Sequence, residues 1–273
     1  MNSNGMFILD PDRLASLAES LRGAYIAAKP FPHIVIDDFL PEEVLRKVAN
    51  SFPKPGEINW YGFDNWRSKK LAVEDEELIE DNARWLLHQL NSSTLVKFLE
   101  TLTGVNGLIP DPHFKGGGLH QIERGGFLKI HADFNRHESW KLDRRINLIL
   151  YLNEGWKKEY GGHLELWSTD MTRCVHRILP IFNRCVIFNT TDFSYHGHPE
   201  PLTCPKGQTR KSLALYYYSN GRPSEEIIGD HGTLIKLRPG ESPETTSSSS
   251  MRAFIKRFVP PIVMDVRRYL SKR

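Results

Sequence analysis

Over the first hundred positions apolar residues recur at helical spacing, and beyond position 116 they begin to alternate. Leu14, Leu17, Leu21 and Tyr25 lie three or four residues apart, which predicts an amphipathic helix over 11–28. Pro30 and Pro32 then bracket the start of a short apolar run, His33-Ile34-Val35-Ile36, which reads as an edge strand. Pro41 suits the first position of a helix running through Val44, Leu45 and Val48. Residues 52–70 are rich in Pro, Gly and aromatics without a period, and read as an ordered loop. Two further helices are predicted, near 75–90 and over 93–103, the second stopped by Gly104.

From Gly116 the texture changes to short β-branched and aromatic runs divided by turn residues. Strands are expected near 119–123, 127–133, 146–152, 163–167, 174–179, 184–189 and 211–218. Gly125-Gly126, Asn153-Glu154-Gly155, Gly161-Gly162 and 204–208 supply the turns. The expected fold is mainly β with N-terminal helices (α+β), built on a double-stranded β-helix, or jelly-roll, core. The expected organisation is a helical region over 1–105 packing on the core, and a jelly-roll core over 106–240. A Ser-rich linker over 241–250 and a basic amphipathic segment over 251–273 would follow.

Composition adds three constraints. At 273 residues, 40% hydrophobic and 25% charged, the chain has the make-up of an ordinary globular protein. Cys174, Cys185 and Cys204 form no Cys-x-x-Cys, which fits a reducing compartment and opposes a disulfide framework or a structural zinc site. No run reaches 18 apolar residues and no signal peptide is visible, so the expected location is the cytoplasm. Charge is uneven: 251–273 carries +6 and the remainder −3, which argues against a nucleic-acid surface on the body. Phe254, Ile255, Phe258, Ile262, Val266, Tyr269 and Leu270 give that basic tail an apolar face, broken at Pro260-Pro261. It is expected to pack back on the body, with contact to a membrane surface as the alternative.

The candidate chemistry centres on 127–133. A strand projects residues i and i+2 to one face, so His131 and Asp133 point together. A third ligand would complete the two-His-one-carboxylate set that holds non-haem Fe(II) with open positions; His196 and His198 both lie downstream to supply it. In the strand 146–152, Asn147 and Tyr151 share a face opposite Ile146, Leu148, Leu150 and Leu152. Arg210 opens a strand whose same-face residues are Ser212, Ala214 and Tyr216, and a guanidinium suits a carboxylate ligand. His113, His120, His137 and His163 are further pocket candidates. Trp140, Trp156 and Trp167 read as packing, and Arg144-Arg145 as a solvated turn.

These residues in this order resemble the 2-oxoglutarate-dependent Fe(II) oxygenases, nearest the prolyl 4-hydroxylase-like branch. The resemblance rests on His131-Ala132-Asp133, Tyr151-Leu152-Asn153, Gly161-Gly162-His163-Leu164, Val186-Ile187-Phe188, Ser194-Tyr195-His196 and Arg210-Lys211-Ser212, and covers about 116–220. It implies iron ligation by His131, Asp133 and His196, with His196 preferred over His198 because Ser-Tyr-His matches the family's Ser-aromatic-His. Arg210 and Tyr151 match residues that hold the distal carboxylate of 2-oxoglutarate, and Asn147 and Ser212 are expected beside them. The implied cofactors are Fe(II), 2-oxoglutarate and dioxygen, with ascorbate as a further one. The implied reaction is hydroxylation of a prolyl or related C–H centre, free or in a peptide, with release of succinate and carbon dioxide. A small-metabolite or glycan-type oxygenase and a jelly-roll metal-binding scaffold without turnover are the alternatives. One departure stands out: many prolyl hydroxylases carry Tyr three residues before the first ligand His, where this chain has Leu128.

Overall fold

The computed structural model describes residues 7–226 and 229–242. The chain divides into a compact unit, Met1–Pro239, and a second unit, Gly240–Arg273, which lies almost wholly outside the described residues. The expectations for the Ser-rich linker and the basic tail fall there.

Four helices open the fold: α1 (Pro11–Ala27), α2 (Glu42–Asn50), α3 (Asp81–Leu90) and α4 (Ser93–Thr103). Each boundary has a local cause. The Asp10 carboxylate accepts from the backbone N–H of Asp12 and Arg13, with Pro11 at the first turn, so α1 starts there. Pro41 takes the cap position of α2 rather than its first turn. Gly104, at φ +75°, ends α4 in the left-handed conformation that glycine adopts without a Cβ penalty. The helix expected over 75–90 is split: a 3₁₀ turn at Glu76–Leu78 ends at Ile79, and the Glu80 side chain caps a fresh start.

Among the described residues thirteen strands form one curled antiparallel sheet. They are β1 (His33–Ile36), β2 (Tyr61–Asp64), β3 (Ser68–Val73), β4 (Ile109–Pro110), β5 (Gly118–Ile122), β6 (Phe127–Ala132) and β7 (Asp143–Tyr151). Then come β8 (Leu164–Trp167), β9 (Cys174–Ile178), β10 (Cys185–Asn189), β11 (His196–His198), β12 (Arg210–Ser219) and β13 (Leu234–Ile235). The order β1-β10-β7-β12-β5-β3 makes one wall, and β6-β11-β8-β9 the other, which is a jelly roll. β1 is an edge strand, paired only through β10 along that order.

The stretch 52–70, expected as a loop, contains β2 and enters β3. The reason it escaped the pattern is its exposure: β2 has no buried residue, and β3 carries Lys69 and Lys70 where an apolar alternation would have shown. The residue alternation of β7 divides the two faces of the sheet. Ile146, Leu148, Leu150 and Leu152 join the helices in one core with Leu14, Leu45 and Phe98. Tyr151 points the other way, into the interior of the roll with Phe188, Leu166 and Val186. Each fully buried leucine of that outer face stabilises the fold by about 1.5–3 kcal/mol, and the helices stay on the sheet because their own leucines share that burial. The interior face is thereby left free for polar chemistry.

Candidate active site

Two strands of the smaller wall carry the metal-type residues. β6 and β11 pair with His131 directly opposite His196, so both imidazoles project from the same face. Their ring centroids are 4.5 Å apart. Asp133 lies just past β6, its side chain 12% exposed, with Oδ1 3.5 Å from His131 Nε2 and Oδ2 3.4 Å from His196 Nε2. One ligand atom from each residue lies within 4.8 Å of the others.

The tautomers are set by the backbone. His131 Nδ1 is 2.9 Å from the carbonyl of Lys129, and His196 Nδ1 is 2.8 Å from that of Ser194. A carbonyl can only accept, so each Nδ1 carries a proton and the Nε2 of each ring is the atom turned toward Asp133. Burial pushes the His196 imidazole down to about 4, opposed by the Asp133 charge. Burial works against the Asp133 charge as well, but Arg144, followed by His196 and His131, holds that carboxyl well below its usual range. Two imidazole Nε2 atoms and a carboxylate converging in this way are a donor set for a divalent cation with borderline preference.

Arg144, expected in a solvated turn, is among the most buried side chains of the protein, at 1%. Its guanidinium donates to Asp133 Oδ2 at 3.0 Å and to Asn147 Oδ1, and stacks 3.3 Å from the Tyr216 ring centroid. Strict alternation from Asn147 would turn Arg144 outward. β12 pairs Tyr217 with Ile146 and Tyr218 with Arg144, so Arg145 is an extra residue and the bulge brings Arg144 inward. Asn147, expected as a co-substrate contact, donates its amide N–H to Asp133 Oδ2 at 2.6 Å and accepts from Arg144 and Thr190. It orients the carboxylate.

Deeper in the roll, β12 places Ser212 between Tyr151 of β7 and His120 of β5. Arg210, 5% exposed, donates through Nε to the carbonyl of Gly162 at 2.8 Å and through a terminal nitrogen to the Tyr151 hydroxyl at 3.1 Å. Gly162 sits at φ +70°, and a Cβ there would meet Arg210 Cδ at 3.0 Å and Leu202 at 2.6 Å, so only glycine lets Arg210 lie in this groove. Burial raises the Tyr151 phenol and lowers the Arg210 guanidinium. No carboxylate among the described residues pairs with Arg210. Near it lies His198, 3% exposed, with both ring nitrogens buried and unbonded among the described residues. Lys70 of β3 reaches the same interior: burial takes its amine down to about 8, with Asp133 pulling up and Arg144 and Arg210 pushing down.

A cavity of about 1020 Å³ opens alongside, walled by Trp60, Tyr61, Phe63, Lys70, Phe134 and Arg136 among others. Phe134 directly follows Asp133, so the cavity begins one residue from the triad. His137 lines it and stacks on Trp140, ring centroids 4.4 Å apart, whereas His113 is exposed and His163 half-buried. Trp156 and Trp167 are buried packing residues. Sequence alone offered no signal for Lys70, which belonged to the stretch without period.

Residues 117–218 match the model of the 2OG-Fe(II) oxygenase superfamily. Prolyl 3-hydroxylase OGFOD1 of Mus musculus is 31% identical over 86 residues, 30% of this chain and 15% of that protein. The Xenopus laevis protein of the same name is 25% identical over 205 residues, 69% of this chain and 35% of that one. The chain thus spans about a third or less of the length of these curated relatives. A Trichoplax adhaerens prolyl hydroxylase, solved with a hypoxia inducible factor peptide fragment, shares the fold at TM-score 0.54 with 17% identity, covering 76% of this chain and 91% of that one. Superfamilies of this kind use Fe(II), 2-oxoglutarate and dioxygen, and the donors found here fit such a set: three convergent metal-type ligands and a buried guanidinium with no anion among the described residues. Residues 117–218 thus combine a match to the 2OG-Fe(II) oxygenase superfamily model with a jelly-roll fold shared with a prolyl hydroxylase and a convergent cluster of His131, Asp133 and His196.

Proposed function

We propose that the protein is an Fe(II)- and 2-oxoglutarate-dependent hydroxylase acting on a ring C–H of a prolyl residue in a peptide. The observation that carries the reading is Arg210: a buried guanidinium, tied to Tyr151 and a carbonyl, with no anion of its own among the described residues. Burying an unpaired cation is costly, and a ligand carboxylate removes that cost. A metal-binding scaffold has no use for such an anchor.

His131, Asp133 and His196 would hold the iron, and their single face leaves the opposite side open to co-substrate and dioxygen. Arg144 and Asn147 both donate to Asp133 Oδ2, which fixes the carboxylate with Oδ1 toward His131 and Oδ2 toward His196. Arg210 and Tyr151 would grip the distal carboxylate of 2-oxoglutarate from the far end of the roll. Fe(II) with 2-oxoglutarate and dioxygen supplies the oxidising power for C–H hydroxylation, with succinate and carbon dioxide as by-products. The neighbouring cavity, with an aromatic wall of Trp60, Tyr61 and Phe63, has the volume for a peptide segment and the flat apolar surface a pyrrolidine ring packs against. The OGFOD1 relatives and the peptide-bound Trichoplax enzyme support a prolyl substrate. The unpaired Cys174, Cys185 and Cys204 support a reducing, cytoplasmic setting; a role for ascorbate rests on the family resemblance alone.

The test is succinate release by the Fe(II)-loaded protein with free proline, a panel of prolyl peptides and matched alanyl peptides. Succinate formed in step with one added oxygen on a prolyl peptide supports the reading. Peptide-independent succinate across the whole panel would reject the prolyl substrate and keep the oxygenase.

A further inference from the structure

β11 carries two buried histidines, and the triad uses one. Gly197 between them is pressed so closely on β6 that a Cβ would fall 2.8 Å from the carbonyl oxygens of both Leu128 and Lys129. The pairing with β6 shifts register between His196 and His198, and His198 is buried in the interior that Arg210, Lys70, His131 and His120 share. The first is fully engaged, through Nδ1 to the Ser194 carbonyl and Nε2 toward Asp133. The second is opposite Leu128, which offers it nothing polar, and both of its nitrogens are buried and unbonded among the described residues.

A buried imidazole with two orphaned nitrogens is an expensive way to fill space that a valine or leucine would fill better. Its surroundings say what would satisfy it. The charges it feels most are those of Arg210 and Lys70, followed by the rings of His131 and His120. Two cations and two imidazole rings around unfilled hydrogen-bonding capacity call for an anion with several acceptor atoms. The metal-type cluster consists of His131, Asp133 and His196, without His198.

Resting on the oxygenase reading, we propose that His198 is a co-substrate-binding residue whose ring N–H donates to the distal carboxylate of 2-oxoglutarate, beside Arg210 and Tyr151. The pocket then offers the carboxylate a guanidinium fork, a phenol and an imidazole from three different strands, β12, β7 and β11. A donor from a third direction fixes the position of that carboxylate along the strand as well as its charge, and so selects the chain length of the keto-diacid.

The experiment uses the full chain loaded anaerobically with Mn(II), which binds the same ligands without turnover, and titrates 2-oxoglutarate by calorimetry. His198→Leu is expected to leave Mn(II) affinity unchanged and to raise the melting temperature of the ligand-free protein. It is expected to weaken 2-oxoglutarate about tenfold, the size of one hydrogen bond to a charged group. His198→Gln keeps an N–H donor at similar reach and is expected to retain most of the affinity, whereas His198→Asn, too short, is expected to lose it. Unchanged 2-oxoglutarate affinity in His198→Leu overturns the proposal, and so does loss of Mn(II) binding, which would make His198 a metal ligand. Should the leucine variant fail to fold, equal affinities in the Gln and Asn variants overturn it. If the wild-type protein takes up Mn(II) but no 2-oxoglutarate, the oxygenase reading falls together with this one. With a wild type that binds 2-oxoglutarate normally, a failure in the variants bears on His198 alone.

Discussion

Arg144 and Asp133 form a buried ion pair at 3.0 Å, set against the same carboxylate that faces His131 and His196. Until a metal arrives, Arg144 is the principal counter-charge of Asp133. The guanidinium also stacks between Tyr216 and Phe134, at 3.3 and 4.5 Å from their ring centroids, which a shorter or non-planar cation would not reproduce.

Replacing Arg144 by Met should therefore leave a buried carboxylate held by Asn147 alone. Breaking one side of a buried pair costs about 3–5 kcal/mol, so the metal-free variant should melt well below wild type. Mn(II) restores the missing positive charge, so the gain in melting temperature on adding Mn(II) should be larger in the variant than in wild type. Thermal melts with and without Mn(II) read this directly, and equal gains in both proteins would deny Arg144 its role as stand-in charge.

The pattern of side chains showed the jelly roll because β5, β7, β10 and β12 pack one face of each strand against a helix-covered wall, and that alternation is set by burial. It also brought His131, Tyr151, His196 and Arg210 into one interior, since period-two geometry places same-face residues together without further information. Arg144 and Lys70 were invisible for opposite reasons. Arg144 needs a bulge at Arg145, which no local sequence rule marks, and the bulge inverts the face it occupies. Lys70 sits on a strand whose burial does not alternate, so no period marked the face it would take. Asn147 was placed on the correct face, but a face does not say which neighbour an amide will choose.

Metal binding provides the sharpest separation of the two β11 histidines. His131→Ala and His196→Ala should each remove one of the convergent Nε2 donors and abolish measurable Mn(II) uptake, while His198→Ala should retain it. Asp133→Ala should also lose the metal and in addition strand Arg144 as an uncompensated buried charge, making it the least stable of the four. Metal uptake by equilibrium dialysis together with melting temperature gives both orders. A His196→Ala protein that still binds Mn(II) tightly would sink the ligand assignment.

Arg210→Ala should act on the co-substrate and spare the metal, because Arg210 bonds Tyr151 and Gly162 and none of the triad. Removing a charge-assisted pair from a desolvated pocket costs about 2–5 kcal/mol, or roughly tens to thousands-fold in 2-oxoglutarate affinity. Gly162→Ala should reach a milder form of the same phenotype by displacing the Arg210 side chain, since the new Cβ would press on its Cδ at 3.0 Å. Titration of 2-oxoglutarate into the Mn(II)-loaded variants ranks them, and an Arg210→Ala protein with wild-type affinity would remove that residue from the site.

Lys70 makes the stability of the ligand-free protein depend on pH in a defined direction. Burial is the main cause of its descent from 10.5 to about 8, reinforced by Arg144 and Arg210 and opposed by Asp133. Between those two values the unfolded chain holds a proton that the folded protein has released, so this residue makes unfolding harder as pH rises. Below about 8 both states are protonated, and the folded protein bears the full cost of a cation pressed against its neighbours. Lys70→Met removes the charge and keeps the apolar stem. The variant should therefore melt above wild type near neutral pH, and the difference should shrink steadily as pH is raised through the window. Paired thermal melts across that range check it. A gap that stays constant with pH would show that Lys70 keeps its ordinary protonation in the fold.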